Sequence, residues 1–185
     1  MRFDRRAPLS VEPSLFEHVD SEYGRNRTTG RSDEGTAMFL NNNLIAFSTK
    51  AQTSVADSSF HAEIIALSDG VSKLLKLRNY LQDTGFTLPP TPVFEDNRAV
   101  IRYARDIGMA RAARSLVQHF HKGRAAQQDG SIDLRPISSA NNAADFFTKI
   151  QPRKVFQRSM QLLGLTSLST PSAICHRPAV EASGG

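Results

Sequence analysis

The order of the predicted secondary structure elements constrains the fold of this chain more than any other feature. Two apolar runs, Thr36–Leu40 and Leu44–Thr49, are separated by three asparagines. Asparagine tolerates left-handed backbone angles, so this spacing predicts a β-hairpin. A shorter strand is predicted over 15–19, and a long helical pattern runs from Ser58 to about Gln82. Strands that come first and then alternate with helices predict an α/β fold with a mixed sheet and helices on its faces.

The second half of the chain continues this alternation. Strands are predicted over 92–95 and 132–137, and helices over 97–105, 111–128, 141–148 and 152–163. The polar segment 25–35 is predicted to be a loop. We therefore expect one domain over 15–165, a flexible lead-in over 1–14, and a disordered tail over 166–185 that contains serine, proline and glycine without periodicity.

Composition excludes several classes of protein. No apolar run approaches the roughly 18 to 20 residues that a membrane-spanning helix needs, so we expect no membrane partner. The single cysteine, Cys175, excludes an internal disulfide framework and a cysteine-rich zinc site, and it favours an intracellular location. With 23 Lys and Arg against 18 Asp and Glu, the net charge of +5 makes a polyanionic partner such as nucleic acid more probable.

The basic residues are concentrated in one stretch. Between positions 98 and 124 there are seven basic residues and one acidic residue, Asp106. The seven are Arg98, Arg102, Arg105, Arg111, Arg114, Lys122 and Arg124. The first three are spaced i, i+4 and i+7, which places them on one helix face. Such a row predicts contacts with phosphates, although a solvated helix face is an equally simple interpretation.

Four acidic residues occupy positions where active sites are often built. Glu63 falls within the apolar stripe of the long helix, where a buried carboxylate is costly without compensation. Asp20 and Asp96 follow predicted strands, and Asp145 lies in the first turn of a predicted helix. Each acid also has a purely structural interpretation. Glu63 would lie at the solvent-exposed rim of a first helical turn, and Asp20 would be a turn residue. Asp96 would be an N-cap, and Asp145 would interact with the helix dipole.

Taken together, these acids predict a metal site. Four carboxylates converging over one face of the sheet would repel one another without cations. Magnesium, which prefers oxygen ligands, is the cation we expect, and two such ions would support in-line displacement at phosphorus.

The same positions carry a resemblance to a known family, the ribonuclease H domain of copia-type (Ty1/copia) LTR retrotransposon polyproteins. The matching segments occur in the family's order over about residues 15–165. Ser58–Ser68 resembles the family's Ser-Ser-Thr-Glu-Ala-Glu-Tyr-Ile-Ala-Leu-Ser, which contains its catalytic glutamate. The other segments are Val19–Gly24 (first-aspartate motif), Ser32–Gly35 with Leu44–Gln52, Glu95–Val100 (Asp-Asn-x-Ser-Ala) and Ala144–Lys149 (Ala-Asp-x-x-Thr-Lys).

The resemblance implies the ribonuclease H fold and hydrolysis of the RNA strand of RNA–DNA hybrids. It assigns the family's catalytic and metal-binding acids to Asp20, Glu63, Asp96 and Asp145. It implies two Mg²⁺ ions, for which Mn²⁺ is a possible substitute, one to activate water and one to stabilise the leaving oxygen. The implied partners are the hybrid and the reverse transcriptase region of the same polyprotein, in the cytoplasm and/or nucleus. The implied nucleic-acid contacts are Arg98, Arg102, Arg105, Arg111, Arg114 and Lys149.

Departures from the family pattern leave alternatives open. The family's Lys-His-Ile-Asp segment falls on Arg114–Val117, so its histidine and its acidic residue are missing. The family's tryptophans are replaced by Tyr23 and Phe47. A catalytically inactive retroelement remnant that keeps the fold and weak nucleic-acid binding is therefore the alternative to an active nuclease, and a basic adaptor without nuclease chemistry is a third possibility.

Overall fold

The sheet and its helices follow the predicted order along the chain. The structure is a computed structural model that describes residues 13–105 and 117–165. Its elements are β1 (Leu15–Glu22), β2 (Asp33–Leu40), β3 (Asn43–Ala51), α1 (Ser59–Asp83), β4 (Thr91–Glu95), α2 (Arg98–Arg105), α3 (Val117–Gln128), β5 (Ile132–Pro136), α4 (Asp145–Thr148) and α5 (Arg153–Leu162). The strand order is β3-β2-β1-β4-β5, with β1–β2 and β2–β3 antiparallel and β1–β4 and β4–β5 parallel. The predicted mixed five-stranded sheet is confirmed.

The hairpin between β2 and β3 turns as the asparagines predict. Asn41 and Asn42 have φ values of 50° and 60°, in the left-handed region, and they form a two-residue connection between the strands. Both central residues of a type I′ turn need positive φ, which asparagine tolerates better than most residues. This turn sets the first pairs of β2 with β3, and an irregularity between Met38 and Phe39 then shifts the register by one residue.

Strand β1 is longer than the predicted 15–19, and the loop predicted over 25–35 is shorter. β1 pairs with β2 along its whole length, from Leu15 opposite Leu40 to Glu22 opposite Asp33. The ends of both strands are polar, so a strand prediction based on apolar runs does not include them. Asp20 therefore lies inside β1 and does not end the strand, contrary to the prediction.

Helix α1 covers one face of the sheet. The Ser58 side chain accepts a hydrogen bond from the His61 N–H at 3.1 Å and caps the helix. A Cβ atom on Gly70 would lie 2.8 Å from Val19 Cγ1. Glycine thus lets α1 approach β1 closely. The core between them includes the fully buried or nearly buried Val19, Ile64, Leu67, Val71, Leu74, Val93 and Leu134.

The opposite face is covered by the C-terminal segment. The predicted helix over 141–148 is wrong in its length, because residues 139–141 form a single 3₁₀ turn and α4 begins only at Asp145. The Asn142 amide donates to the Val19 carbonyl oxygen at 2.8 Å, while its Oδ1 accepts from the Ala144 N–H at 3.1 Å. These bonds hold Asn142 outside the helix. Helix α5 ends as predicted, with Gly164 at φ 68°.

Several predictions fall outside the described residues. The predicted tail over 166–185, the lead-in except Pro13 and Ser14, and the first part of the helix predicted over 111–128 are among them. Within the described ranges, no helix has the length and the apolar character needed to cross a bilayer.

Candidate active site

Parallel pairing of β1 and β4 brings two of the predicted acids together. Glu17 pairs with Val93 and His18 with Phe94. Continuing this register by two positions places Asp20 opposite Asp96, the first residue after β4. Asp20 is fully buried, and Asp96 is half-buried. Asp96 is not the N-cap of α2, since Asn97 Oδ1 accepts the N–H of Ala99 at 3.0 Å.

Helix α4 delivers Asp145 to the same place. Gly35 of β2 pairs with Asp20, and a Cβ atom at Gly35 would lie 2.8 Å from Thr148 Cγ2. The absence of a side chain there lets α4 pack directly against the strand. The buried Thr148 hydroxyl donates to Asp20 Oδ2. Lys149 Nζ lies 2.7 Å from Asp145 Oδ1 and 3.0 Å from Asp20 Oδ1, so it bridges the two aspartates.

His18 anchors the segment that precedes α4. Its Nδ1 accepts the backbone N–H of Ala143 at 3.1 Å, and its ring contacts those of Phe39 and Phe94. Burial lowers the pKa of His18 to about 4. The imidazole is therefore neutral near pH 7, and Nδ1 is free to accept this hydrogen bond. Together with Asn142, His18 fixes where α4 begins.

Glu63 reaches the site from α1. Its side chain lies on the buried face of the helix, where only 7% of the residue is exposed. The alternative position at a solvent-exposed rim is thereby excluded. Oxygen Oε2 of Glu63 is buried and has no hydrogen-bond partner among the described residues. Glu63 lies close to Asp96 and to Glu95, a fully buried carboxylate that the sequence analysis did not select.

The five carboxylates form what we call the acidic centre: Asp20, Glu63, Glu95, Asp96 and Asp145. They divide into two sets, and in each set one oxygen per residue lies within 4.8 Å of the others. One set is Asp20, Asp96 and Asp145, and the other is Glu63, Glu95 and Asp96. Asp96 belongs to both sets. All four acids predicted from the sequence are therefore brought together.

Burial and mutual repulsion act on the protonation of these groups. Burial, with Asp145 nearby, raises the pKa of Asp20 to about 7, although Lys149 and Thr148 oppose the rise. Burial, with Asp20 and Asp96 nearby, raises the pKa of Glu63 to about 9. The pKa of Glu95 is raised well above its ordinary value, first by burial and then by Glu63. Burial is the largest cause of each shift, and repulsion between neighbouring carboxylates adds to it.

A divalent cation fits this donor set. All the converging ligand atoms are carboxylate oxygens, which hard cations such as magnesium prefer. Glu63 Oε2 and Glu95 Oε2 are buried without hydrogen-bond partners in the part of the chain that is described. Buried polar atoms normally have partners. A cation bound between them would satisfy both oxygens and reduce the repulsion that raises the pKa values.

The predicted nucleic-acid contacts fall on several parts of the chain. Arg98, Arg102 and Arg105 are all exposed on α2, which begins two residues after Asp96. Arg105 also donates to the Leu134 carbonyl oxygen and lies 3.7 Å from Asp133. Lys149 contacts the aspartates of the acidic centre. Arg111 and Arg114 lie outside the described residues.

Two residues of the site escaped the sequence analysis. Glu95 shares a strand face with Thr91 and Val93, and all three are buried. Alternation along β4 was the signal that could have identified its inward direction. Thr148 stands three residues after Asp145, so that both lie on one side of α4. Its bond to Asp20, however, depends on packing that no local pattern reveals.

Comparison with known proteins identifies the relatives of this chain. It is 25% identical over 156 residues to the retrovirus-related Pol polyprotein from transposon TNT 1-94 of Nicotiana tabacum, covering 84% of this chain and 12% of that protein. It is 24% identical over 154 residues to the corresponding polyprotein from transposon RE1 of Arabidopsis thaliana, covering 83% of this chain and 10% of the relative. The homologues of this chain are copia-type Pol polyproteins. The chain thus spans about a tenth of the length of these copia-type relatives. No protein-family model matches it.

Similarity to solved structures shows the fold of this chain. The N-terminal RNase H domain of a Mycobacterium tuberculosis protein superposes with a TM-score of 0.54 at 16% identity, covering 80% of this chain and 96% of that one. LC11-RNase H1, isolated from compost by a metagenomic approach, gives a TM-score of 0.57 at 16% identity, with coverages of 80% and 98%. The same enzyme in complex with an RNA/DNA hybrid gives 0.55 at 16% identity, with coverages of 72% and 92%. The fold is ribonuclease H-like, as predicted.

Proposed function

We propose that this protein is a magnesium-dependent ribonuclease H that hydrolyses the RNA strand of RNA–DNA hybrids. The observation that carries the proposal is the convergence of four carboxylates in one cluster: Asp20 from β1, Asp96 from the end of β4, Glu63 from α1 and Asp145 from α4. Copia-type relatives and ribonuclease H-like structures support the same class of reaction. The proposed cofactor is Mg²⁺, two ions at full occupancy, with Mn²⁺ as a possible substitute.

The residues of the chain prepare the centre for this chemistry. Magnesium, when bound, would act as a Lewis acid that stabilises negative charge developing on the phosphate. Asp96 belongs to both ligand sets and would hold both cation positions. The Thr148 hydroxyl fixes the orientation of Asp20, and Arg25 fixes α4 by donating to the Thr148 carbonyl oxygen. Carboxylates held in this way cannot rotate toward water, which favours ion binding over solvation.

A basic helix beside the centre supports a nucleic-acid substrate. Arg98 and Arg102 are exposed on α2 and follow Asp96 closely in the chain, so a backbone bound at the centre would pass near them. The structure of LC11-RNase H1 was determined with an RNA/DNA hybrid. We propose the same substrate here, with RNA recognised through its 2′-hydroxyls. The other contacts with the nucleic acid stay predictions, namely those of Arg105, Arg111, Arg114 and Lys149.

The context of the reaction follows from the copia-type relatives. We propose that the reverse transcriptase region of the same polyprotein is the partner that supplies the hybrid. The setting would be the cytoplasm and/or nucleus, where a reverse-transcribed element is made and delivered. We also propose that the domain occupies 15–165, between a lead-in and a tail.

The decisive experiment is cleavage of an end-labelled RNA–DNA hybrid by the purified chain with Mg²⁺. We expect products from the RNA strand only, and none after chelation of the metal. Glu63→Gln should abolish cleavage, whereas Glu34→Gln, a matched change at a buried glutamate of β2 outside the acidic centre, should retain it. No cleavage above the Glu63→Gln control would reject the nuclease, and hybrid binding that persists would then favour the inactive remnant.

A further inference from the structure

The two halves of the acidic centre differ in how their oxygens are satisfied. On one side, Asp20 Oδ1 faces Lys149 Nζ at 3.0 Å, and Asp20 Oδ2 accepts the Thr148 hydroxyl. Asp145 Oδ1 lies 2.7 Å from the same ammonium group. Lys149 therefore stands between two carboxylates of the ligand set formed by Asp20, Asp96 and Asp145. A positive charge is already present on this side.

The other side differs, because two of its carboxylate oxygens are unpaired among the described residues. Glu63 is 7% exposed and Glu95 is fully buried, yet the Oε2 atom of each has no hydrogen-bond partner within the described ranges. Glu95 Oε1 accepts the Asn97 N–H at 3.0 Å, which holds the carboxylate in place while leaving Oε2 unsatisfied. These two orphaned oxygens and Asp96 form a set whose geometry suits a cation. This half of the centre therefore offers three carboxylates to a cation.

We propose that Lys149 is a built-in counter-cation that occupies one of the two cation positions, and that Glu95 is a ligand of the divalent ion that fills the other. The free protein would then bind a single divalent ion, through Glu63, Glu95 and Asp96. A second ion would bind between Asp20 and Asp145 only after the ammonium group has left. The identity of the ion rests on the proposed function, whereas the asymmetry rests on the contacts alone.

Lys149 is placed so that its ammonium group can either contact the two aspartates or move into solvent. Lys149 follows Asp145 by four residues, a spacing that brings the two side chains together over α4. Its side chain is 36% exposed, so the ammonium group can move into solvent without disturbing the core. Asp20, by contrast, is fully buried and needs a positive neighbour whenever it is ionised. Displaced from the aspartates, Lys149 would be available to contact a phosphate.

Counting bound ions tests the proposal directly. The full chain is titrated with Mn²⁺, and the free ion is measured by electron paramagnetic resonance. We expect one bound ion per native chain and two for Lys149→Met, with magnetic coupling between the two. Glu95→Gln should weaken the first ion at least about tenfold. Lys73→Met, which removes a lysine from a different buried carboxylate cluster, should bind one ion like the native chain.

The outcomes separate this proposal from the nuclease itself. Two ions on the native chain, or none, would overturn the role of Lys149, as would an unchanged count in both Lys149→Met and the second variant Lys149→Gln. Unchanged affinity in Glu95→Gln would overturn Glu95 as a ligand. Hybrid cleavage by a chain that binds two ions would leave the nuclease standing and remove only the counter-cation. One bound ion without cleavage would support the counter-cation and reject the nuclease.

Discussion

Two clusters of buried carboxylates lie against the same sheet, and they are neutralised in opposite ways. Among the described residues, one lysine, Lys149, forms ion pairs with two of the five carboxylates of the acidic centre. The second cluster, which we call the lysine-paired cluster, contains Glu17, Glu34, Lys50, Asp69 and Lys73. Asp69 Oδ2 lies 2.7 Å from Lys73 Nζ and 3.1 Å from Lys50 Nζ, and Lys50 Nζ lies 3.3 Å from Glu34 Oε1. Here the chain supplies two cations for three acids.

Asp69 of the lysine-paired cluster and Glu63 of the acidic centre illustrate this difference. Burial alone would raise the pKa of Asp69, but contacts with Lys73, Glu34 and Lys50 outweigh it and lower the value to about 2. In the acidic centre, burial and neighbouring carboxylates raise the pKa of Glu63 to about 9. Within the lysine-paired cluster only Asp69 has a lowered pKa, since burial raises the pKa of Glu34 to about 7 and that of Glu17 to about 8. The contrast therefore lies between the aspartates: Asp69 is paired with two lysines, whereas Asp96 is shared by two sets of carboxylates. Substituting one aspartate in each cluster tests this distinction.

The largest effect is expected from Asp96→Asn, compared with Asp69→Asn. Asp96 belongs to both ligand sets, so its loss should reduce hybrid cleavage by at least about 1,000-fold. The unfolding free energy of the Asp96→Asn variant should stay the same or rise, because the substitution removes a negative charge that repels its neighbours. Asp69→Asn should keep the activity and lose about 1 kcal/mol of stability, a modest cost because Asp69 is 31% exposed. Cleavage assays and urea denaturation measure both quantities.

The comparison breaks if the two variants behave alike. Loss of activity in Asp69→Asn with the fold intact would mean that the lysine-paired cluster takes part in the reaction. Destabilisation by Asp96→Asn would mean that the acidic centre contributes to stability without a metal, in the same way as its neighbour.

A second effect is expected at Glu17, the one acid of the lysine-paired cluster whose oxygens both lack hydrogen-bond partners among the described residues. Burial raises its pKa from 4.5 to about 8, although Lys73 opposes the rise. The folded chain thus keeps a proton that the unfolded chain releases above about pH 4.5, so stability falls as pH rises toward 8. Each pH unit costs about 1.4 kcal/mol, or about 3 kcal/mol between pH 5 and pH 7.

Glu17→Gln should remove this slope. Urea denaturation at pH 5, 6 and 7 measures it for both chains, and other titrating groups cancel in the difference. Equal slopes in the native chain and in Glu17→Gln would show that Glu17 is ionised in the folded protein. Its pairing with Lys73 would then be as complete as that of Asp69.

Much of the fold and part of the site could be predicted from the sequence, for identifiable reasons. The Asn41-Asn42 turn was predictable from the backbone preference of asparagine, and the long helix after Ser58 from the periodicity of its apolar residues. Both signals are local. The convergence of Asp20, Glu63, Asp96 and Asp145 was suggested by their positions and by resemblance to a family. Such positions can be recognised because each acid is out of place in its own element.

What the sequence concealed depends on contacts between distant elements. Glu95 adjoins Asp96, yet its inward direction follows from the pleat of β4 and its packing against α1. Lys149 was predicted as a nucleic-acid contact, but its position over Asp20 joins residues 129 apart in the chain. The lengths of β1 and β2 were underestimated because pairing, and not apolar character, holds their polar ends in the sheet. Apart from the alternation along β4, these features have no local signal.

The smallest expected effect is stabilisation by magnesium. It compares the two clusters directly, because the measurement does not require the protein to cleave a hybrid. An ion that binds only the folded chain stabilises it by about 1.4 kcal/mol at ten times its dissociation constant. We expect Mg²⁺ to raise the melting temperature of the native chain and of Asp69→Asn, and to leave Asp96→Asn unchanged, as measured by thermal denaturation monitored by circular dichroism. Calcium is a useful second ion, since both cations prefer carboxylate oxygens. Equal stabilisation of Asp96→Asn would place the cation elsewhere, and the unmatched charge of the acidic centre would then have to be balanced by protonation alone.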